Sequence, residues 1–208
     1  MLSDVINKNS IAYKRYQPLK NFLLERTNRT IFIDLETDTR EGVLLSNERI
    51  LAIGLLEYSS SDCRSLVLAK NNNESEKRLL SSFDEYLDNI EPDVVVGYGI
   101  RYYDIPLLSQ KYTLYRKGLK LYGLSDMIDT SLIVDLAPFY GYRKLSNIIL
   151  NLDGFDAHCK RLERESESSQ KARWVYDKWR KSRRGFKKYL ECDLKACREL
   201  YEQLLGEL

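Results

Sequence analysis

Histidine and closely paired cysteines are what this sequence has least of. It holds one histidine, His158, and four cysteines, Cys63, Cys159, Cys192 and Cys197, with no C-x-x-C spacing among them. His158 with Cys159, Cys192 and Cys197 matches no standard zinc spacing. The cysteines are therefore expected as reduced thiols, buried or neutral. No apolar run approaches the length that spans a bilayer, and the first residues, MLSDVINKNSIAYKRY, lack the apolar core of a signal peptide. The expectation is an intracellular, cytoplasmic protein with no membrane partner. Neither charge sign dominates, since 33 Lys and Arg stand against 31 Asp and Glu. Repeats and low-complexity linkers are absent too, and 208 residues suit one domain with one core.

The small net charge hides a segregation. Residues 171–188, KARWVYDKWRKSRRGFKK, carry nine Lys or Arg against one Asp, which leaves an acidic body elsewhere. Four aromatic residues, Trp174, Tyr176, Trp179 and Phe186, are interleaved with those cations. The expected organisation is one domain over 1–208, with an N-terminal extension (1–28) and this basic aromatic segment (171–188) before a C-terminal helix.

Residues 30–35 read as a buried strand, and RILAIGLLEYS and RSLVLAK as two more in an antiparallel meander. ESEKRLLSSFDEYLDNI carries Leu79, Leu80, Phe83, Leu87 and Ile90 at helical spacing, with Asn73 as the expected cap and Pro92 as the stop. DVVVGYG reads as a fully buried strand, and IPLLSQKYTLYRKG as a helix with Pro106 in its first turn. MIDTSLIVDL is expected as a strand and KLSNIILNL as a short helix. From Phe186 onward, Leu190, Leu194, Cys197, Tyr201, Leu204 and Leu208 form one apolar helical stripe. The order predicts an α/β fold with a mixed sheet of about five strands flanked by helices.

Within this plan two carboxylates are out of place. FIDLET sets Asp34 and Glu36 two apart on a strand, so both project to one face while Ile33 and Leu35 face the other way. Two buried acids repel unless a cation separates them. Asp104 lies between a strand and a helix, where exposed backbone N–H groups favour an anion or an ordinary N-cap. In YLECD, Tyr189 and Asp193 are four apart and share a helix face beside the apolar stripe.

Taken in order, FIDLET, PDVVVGYGIRYYDIPLL and YLECDLKA resemble the three motifs of the DEDDy 3′-to-5′ exonucleases, above all the proofreading domain of family B DNA polymerases and its free-standing relatives. The resemblance spans about Thr30 to Leu205. It implies a ribonuclease H-like fold in which Asp34 bridges two divalent cations, Mg²⁺ or Mn²⁺. Glu36 and Asp193 would complete the site of the cation that activates water, Asp104 would serve the second, and Tyr189 would orient the attacking water. Hard carboxylate oxygens suit those ions, and a two-metal centre stabilises both the attacking and leaving oxygens of a phosphodiester. Thr37 matches a position near the substrate's 3′ end. The sequence departs from the family at Gly99, where an Asn is usual, and mildly at Tyr103, where Phe is. A related class places a catalytic histidine where this chain has Lys188. The spacing of His158 from Glu163 imitates that class without its other marks.

The functional expectation is a free-standing exonuclease that removes nucleoside 5′-monophosphates from the 3′ end of single-stranded nucleic acid, DNA before RNA. No polymerase domain fits in 208 residues. The residues expected to bind substrate are Thr37, Tyr103, Arg173, Trp174, Trp179, Arg180, Arg183 and Arg184, since cations neutralise phosphates and aromatic rings stack on unpaired bases. The rivals are a catalytically silent nucleic-acid-binding module and an RNA-trimming 3′ exoribonuclease.

Overall fold

β1 (Thr30–Asp38), β2 (Arg49–Glu57), β3 (Arg64–Val67), β4 (Val94–Gly97) and β5 (Leu132–Asp135) form one sheet in the order β3-β2-β1-β4-β5. The computed structural model describes residues 6–40, 48–168 and 171–208. The first five residues of the N-terminal extension lie outside them. β1, β2 and β3 pair antiparallel, and β1, β4 and β5 parallel, as the mixed sheet requires. The helices are α1 (Ile11–Tyr16), α2 (Lys20–Glu25), α3 (Asn73–Ile90), α4 (Asp104–Tyr115), α5 (Tyr122–Thr130), α6 (Leu145–Asn151), α7 (Ala157–Glu167), α8 (Lys171–Lys181) and α9 (Arg183–Glu207).

Alternation along β1 divides the core. Ile31, Ile33 and Leu35 pack with Leu80 and Phe83 of α3, Leu107 and Leu108 of α4, and Val175 and Trp179 of α8. Phe32 faces the other way, among Leu194, Cys197, Tyr201 and Leu204 of α9 and Leu23 of α2. Asp34 and Glu36 follow Phe32 on that second face.

Three local expectations need correction. The cap of α3 is Asn72, in extended conformation, whose side chain accepts from Ser75 N–H at 2.9 Å. Asn73 is drawn away by Arg49, which donates to its Oδ1 at 2.6 Å. MIDTSLIVDL is not one strand: α5 runs to Thr130 and only Leu132–Asp135 is extended, because Leu124 and Met127 are buried from a helix while β4 leaves room for four paired residues. Cys159 and Cys192 are joined by a disulfide, with Cα atoms 5.5 Å apart. The packing of α7 on α9 brings them together, a proximity that their separation of 33 residues conceals.

Candidate metal centre and strand cleft

β1 outruns β4. Their pairing covers only Thr30–Phe32, so Asp34 and Glu36 stand past the end of the parallel pair, where open α/β sheets leave a crevice. The β1–β2 register shifts between Glu36 and Thr37, a bulge of the kind that re-aims a side chain. On β2, Gly54 lies opposite Asp34. A Cβ at Gly54 would meet Leu190 at 2.7 Å and Leu194 at 3.0 Å, so the missing side chain lets α9 cross the sheet closely at this point. That crossing delivers Asp193 to β1.

One oxygen from each of Asp34, Glu36 and Asp193 lies within 4.8 Å of the others. Asp104 begins α4 and spends its carboxylate on the strand, accepting from Leu35 N–H at 3.1 Å. Tyr189 sits one turn before Asp193, fully buried, its ring braced edge-on by Trp174 at 5.0 Å. Asp34, Glu36, Asp104, Tyr189 and Asp193 all line one cleft of about 950 Å³.

A further acid lines it. Glu163 of α7 is 1% exposed and faces Asp193. Sequence reasoning met Glu163 only as the false partner of His158, which instead sits near the start of α7 beside Arg161. A signal was present: Cys159, Leu162, Glu163 and Ser166 are the buried residues of α7, so Glu163 falls on the inward helical stripe. Lys171, at the start of α8, is exposed as a whole but reaches the same cleft, its ammonium 5.9 Å from the centre of the Tyr189 ring.

The electrostatics follow from this crowding. Burial, then Asp193, Glu36 and Asp104, push the Asp34 carboxyl well above its usual range. Burial lifts Glu36 to about 8 against the pull of Lys171, lifts Asp104 to about 7, and lifts Glu163 to about 9 with help from Asp193. Asp193 is raised by burial too, opposed by Lys171. Desolvation works against the Lys171 ammonium, but Glu36, Asp193 and Glu163 outweigh it and leave it at about 12. Lys171 thus faces an excess of acids. Asp34 Oδ2, Glu163 Oε1 and the Tyr189 hydroxyl are buried without a hydrogen bond of normal geometry. Orphaned hard oxygens in an underneutralised cluster fit a divalent cation.

The proposed substrate contacts divide. Thr37 and Tyr103 line the cleft, their hydroxyls 2.6 Å apart, and both engage Glu48. Arg173 and Arg180 line a neighbouring hollow with Arg40 and Tyr176, and Thr39 and Ala172 border both spaces. Arg184 is exposed. Trp179 is 5% exposed and donates its indole N–H to the Leu68 carbonyl at 3.0 Å, which leaves no ring face for a base. Arg183 is spent likewise, on the carbonyls of Leu68 and Ala69 and over the Trp179 ring. Both are corrected from substrate contacts to anchors that hold the α8–α9 junction against β3. Trp174 is half-buried, its ring set edge-on against that of Tyr189.

Comparison with known proteins agrees with this arrangement. A model of the DNA polymerase family B exonuclease domain matches residues 25–136, a span that includes Asp34, Glu36 and Asp104 and stops before α7, α8 and α9. Among solved structures, a family B DNA polymerase from the hyperthermophilic archaeon Pyrobaculum calidifontis superposes with a TM-score of 0.63 at 17% identity, over 85% of this chain and 24% of that one. That likeness establishes the ribonuclease H-like fold. The chain spans about a quarter of the length of that polymerase. A search of curated proteins finds no match.

Proposed function

Because the chain belongs to the exonuclease domain family of family B DNA polymerases, we propose that it hydrolyses phosphodiester bonds at the 3′ end of single-stranded nucleic acid, DNA before RNA, releasing nucleoside 5′-monophosphates. The observation that carries the reading is the convergence of Asp34, Glu36 and Asp193 oxygens, within 4.8 Å, on the floor of a cleft. Asp34, Glu36 and Asp193, with Asp104 beside them, would hold two divalent cations, Mg²⁺ or Mn²⁺. Such cations supply charge for the phosphate oxygens and acidify a water at neutral pH. The residues do the rest. Burial keeps the Tyr189 phenol protonated, so its hydroxyl is a donor able to orient the attacking water. Asp104 fixes α4 to β1 through Leu35, and Lys171 offsets part of the negative charge when cations are absent.

The experiment is degradation of 3′-labelled and 5′-labelled single-stranded DNA and RNA with Mg²⁺, Mn²⁺ or EDTA, with Asp34→Ala alongside. Cation-dependent shortening from the 3′ end, lost in the variant, supports the exonuclease and reveals its sugar preference. Binding with no cleavage under any cation would leave the silent binding module standing instead.

A further inference from the structure

The geometry points to a second nucleic-acid contact: Tyr102 and Tyr142 form a stacking platform for the unpaired nucleotides that precede the 3′ end, with Arg143 and Lys144 meeting the phosphates between them. The inference rests on the substrate class proposed above. Both tyrosines are left in solvent, at 68% and 63% exposure, although rings of this size usually bury much of their surface. They come from different loops, yet their rings lie 6.3 Å apart, edge to face, with hydroxyls at 3.5 Å.

Each loop borders the cleft. Tyr102 immediately precedes Tyr103 and Asp104, and Tyr142 lies two residues before Lys144; Tyr103, Asp104 and Lys144 all line it. Gly99 lines the same wall with no side chain, and a Cβ there would meet nothing within 4 Å. The wall is bare at that position, and the paired rings stand at its edge.

The platform is built rather than incidental. Asp135, 2% exposed at the end of β5, accepts from Gly99 N–H at 2.8 Å and Arg101 N–H at 3.2 Å on one loop, and from Ala137 N–H at 3.0 Å at the start of the other. One buried carboxylate clamps both. The Tyr98 hydroxyl donates to the Arg143 carbonyl, and Tyr142 N–H donates to the Ala137 carbonyl at 2.8 Å. These bonds hold Tyr142 at φ 56°, a left-handed conformation that a bulky residue adopts only when its surroundings impose it. Arg143 and Lys144 are exposed, and neither pairs with a carboxylate among the described residues. Exposed rings beside unneutralised cations match a single strand, whose bases offer open faces, and not a duplex, whose bases are stacked.

The test is fluorescence anisotropy of 5′-fluorescein-labelled (dT)12 in EDTA, so that nothing is cut. The Tyr102→Ala/Tyr142→Ala variant is expected to bind about tenfold more weakly, the scale of one lost base–aromatic stack. Tyr102→Phe/Tyr142→Phe keeps the rings and is expected to bind within about twofold of the unmodified protein. Tyr102→Ala alone, on ordinary backbone, guards against misfolding at position 142. Arg143→Ala/Lys144→Ala is expected to reduce the log–log salt slope by about 1.4, roughly 0.7 for each phosphate on a single strand. Unchanged (dT)12 affinity in both Tyr-to-Ala variants, a Phe pair as weak as the Ala pair, or no binding by the unmodified protein would each overturn the platform. Shortening of the same oligonucleotide with Mg²⁺ is followed in parallel. Binding that depends on the two rings without any cutting removes the exonuclease reading alone, and cutting with ring-independent affinity removes the platform alone.

Discussion

The backbone N–H of Leu35 donates to Oδ1 of Asp104 at 3.1 Å. Leu35 sits between Asp34 and Glu36, so this bond fixes the first turn of α4 to the part of β1 that carries both acids. Asp104 therefore has two roles, one in holding the fold and one in the charge of the centre, and they separate by substitution. Asp104→Asn keeps an oxygen for Leu35 N–H and removes the charge. Its melting temperature is expected to stay within about 3 °C of the unmodified protein, while 3′-end hydrolysis falls by at least about a hundredfold. Thermal unfolding beside an activity assay checks both. Asp104→Ala, which orphans the Leu35 N–H, should lose both.

Stability of the cation-free protein should fall as pH rises. The folded pKa values of Asp104, Glu36 and Glu163 lie near 7, 8 and 9, above the unfolded values of about 3.9 for Asp and 4.3 for Glu. Between those limits the folded state binds more protons than the unfolded one, so the unfolding free energy decreases with pH. The penalty is absent below about pH 4, grows through the window, and is complete above about 9. Lys171, raised to about 12, contributes no slope there. Melting curves of chelator-treated protein from pH 5 to 9 should show the decline. Added Mg²⁺ or Mn²⁺ should raise the melting point more at pH 8 than at pH 5, since cations compete with protons for the carboxylates. A flat or rising profile in EDTA would contradict the buried-acid account.

Gly54→Ala tests the close crossing of α9 over β2. The added methyl would lie 2.7 Å from Leu190 and 3.0 Å from Leu194, which forces a shift of the helix that carries Asp193. Overpacking of this kind costs about 1–3 kcal/mol. Denaturant unfolding should show that loss, and hydrolysis should fall further than the stability change explains, because Asp193 moves with the helix.

Removing the α7–α9 link should be costly as well. For a separation of 33 residues, the chain-entropy account gives about 3–4 kcal/mol for the Cys159–Cys192 bond. Cys159→Ser/Cys192→Ser, or dithiothreitol at equilibrium, should lower the unfolding free energy by that order. Mass spectrometry after alkylation should count two free thiols before reduction and four after.

The sequence carried most of the sheet because its strands are strongly patterned. FIDLET, RILAIGLLE and DVVVG owe their conformation to buried β-branched and apolar residues that the fold does not override. Tertiary partners decided the rest. Asn72 and Asn73 cap equally well in isolation, and in the fold Arg49 engages the Asn73 side chain while that of Asn72 caps the helix. In residues 171–188 composition showed cations and rings, but not that Val175 and Trp179, four apart, turn inward from α8. The acids of FIDLET and YLECD were visible through their spacing. Glu163 showed only through its place on the Cys159, Leu162, Glu163 and Ser166 stripe of α7, which marks an inward position but, with a lone acid, no chemistry.

α9 follows every strand in the chain, yet Asp193 must reach β1 near the beginning. As the protein is synthesised, β1 to β5 emerge with Asp34, Glu36 and Asp104 but without Asp193, whose oxygen converges on those of the first two. The three oxygens converge only when α9 settles over Gly54. Completion of the fold and assembly of the acidic cluster are then a single event, so on the proposed reading a half-made chain would lack the centre needed to cut nucleic acid near the ribosome.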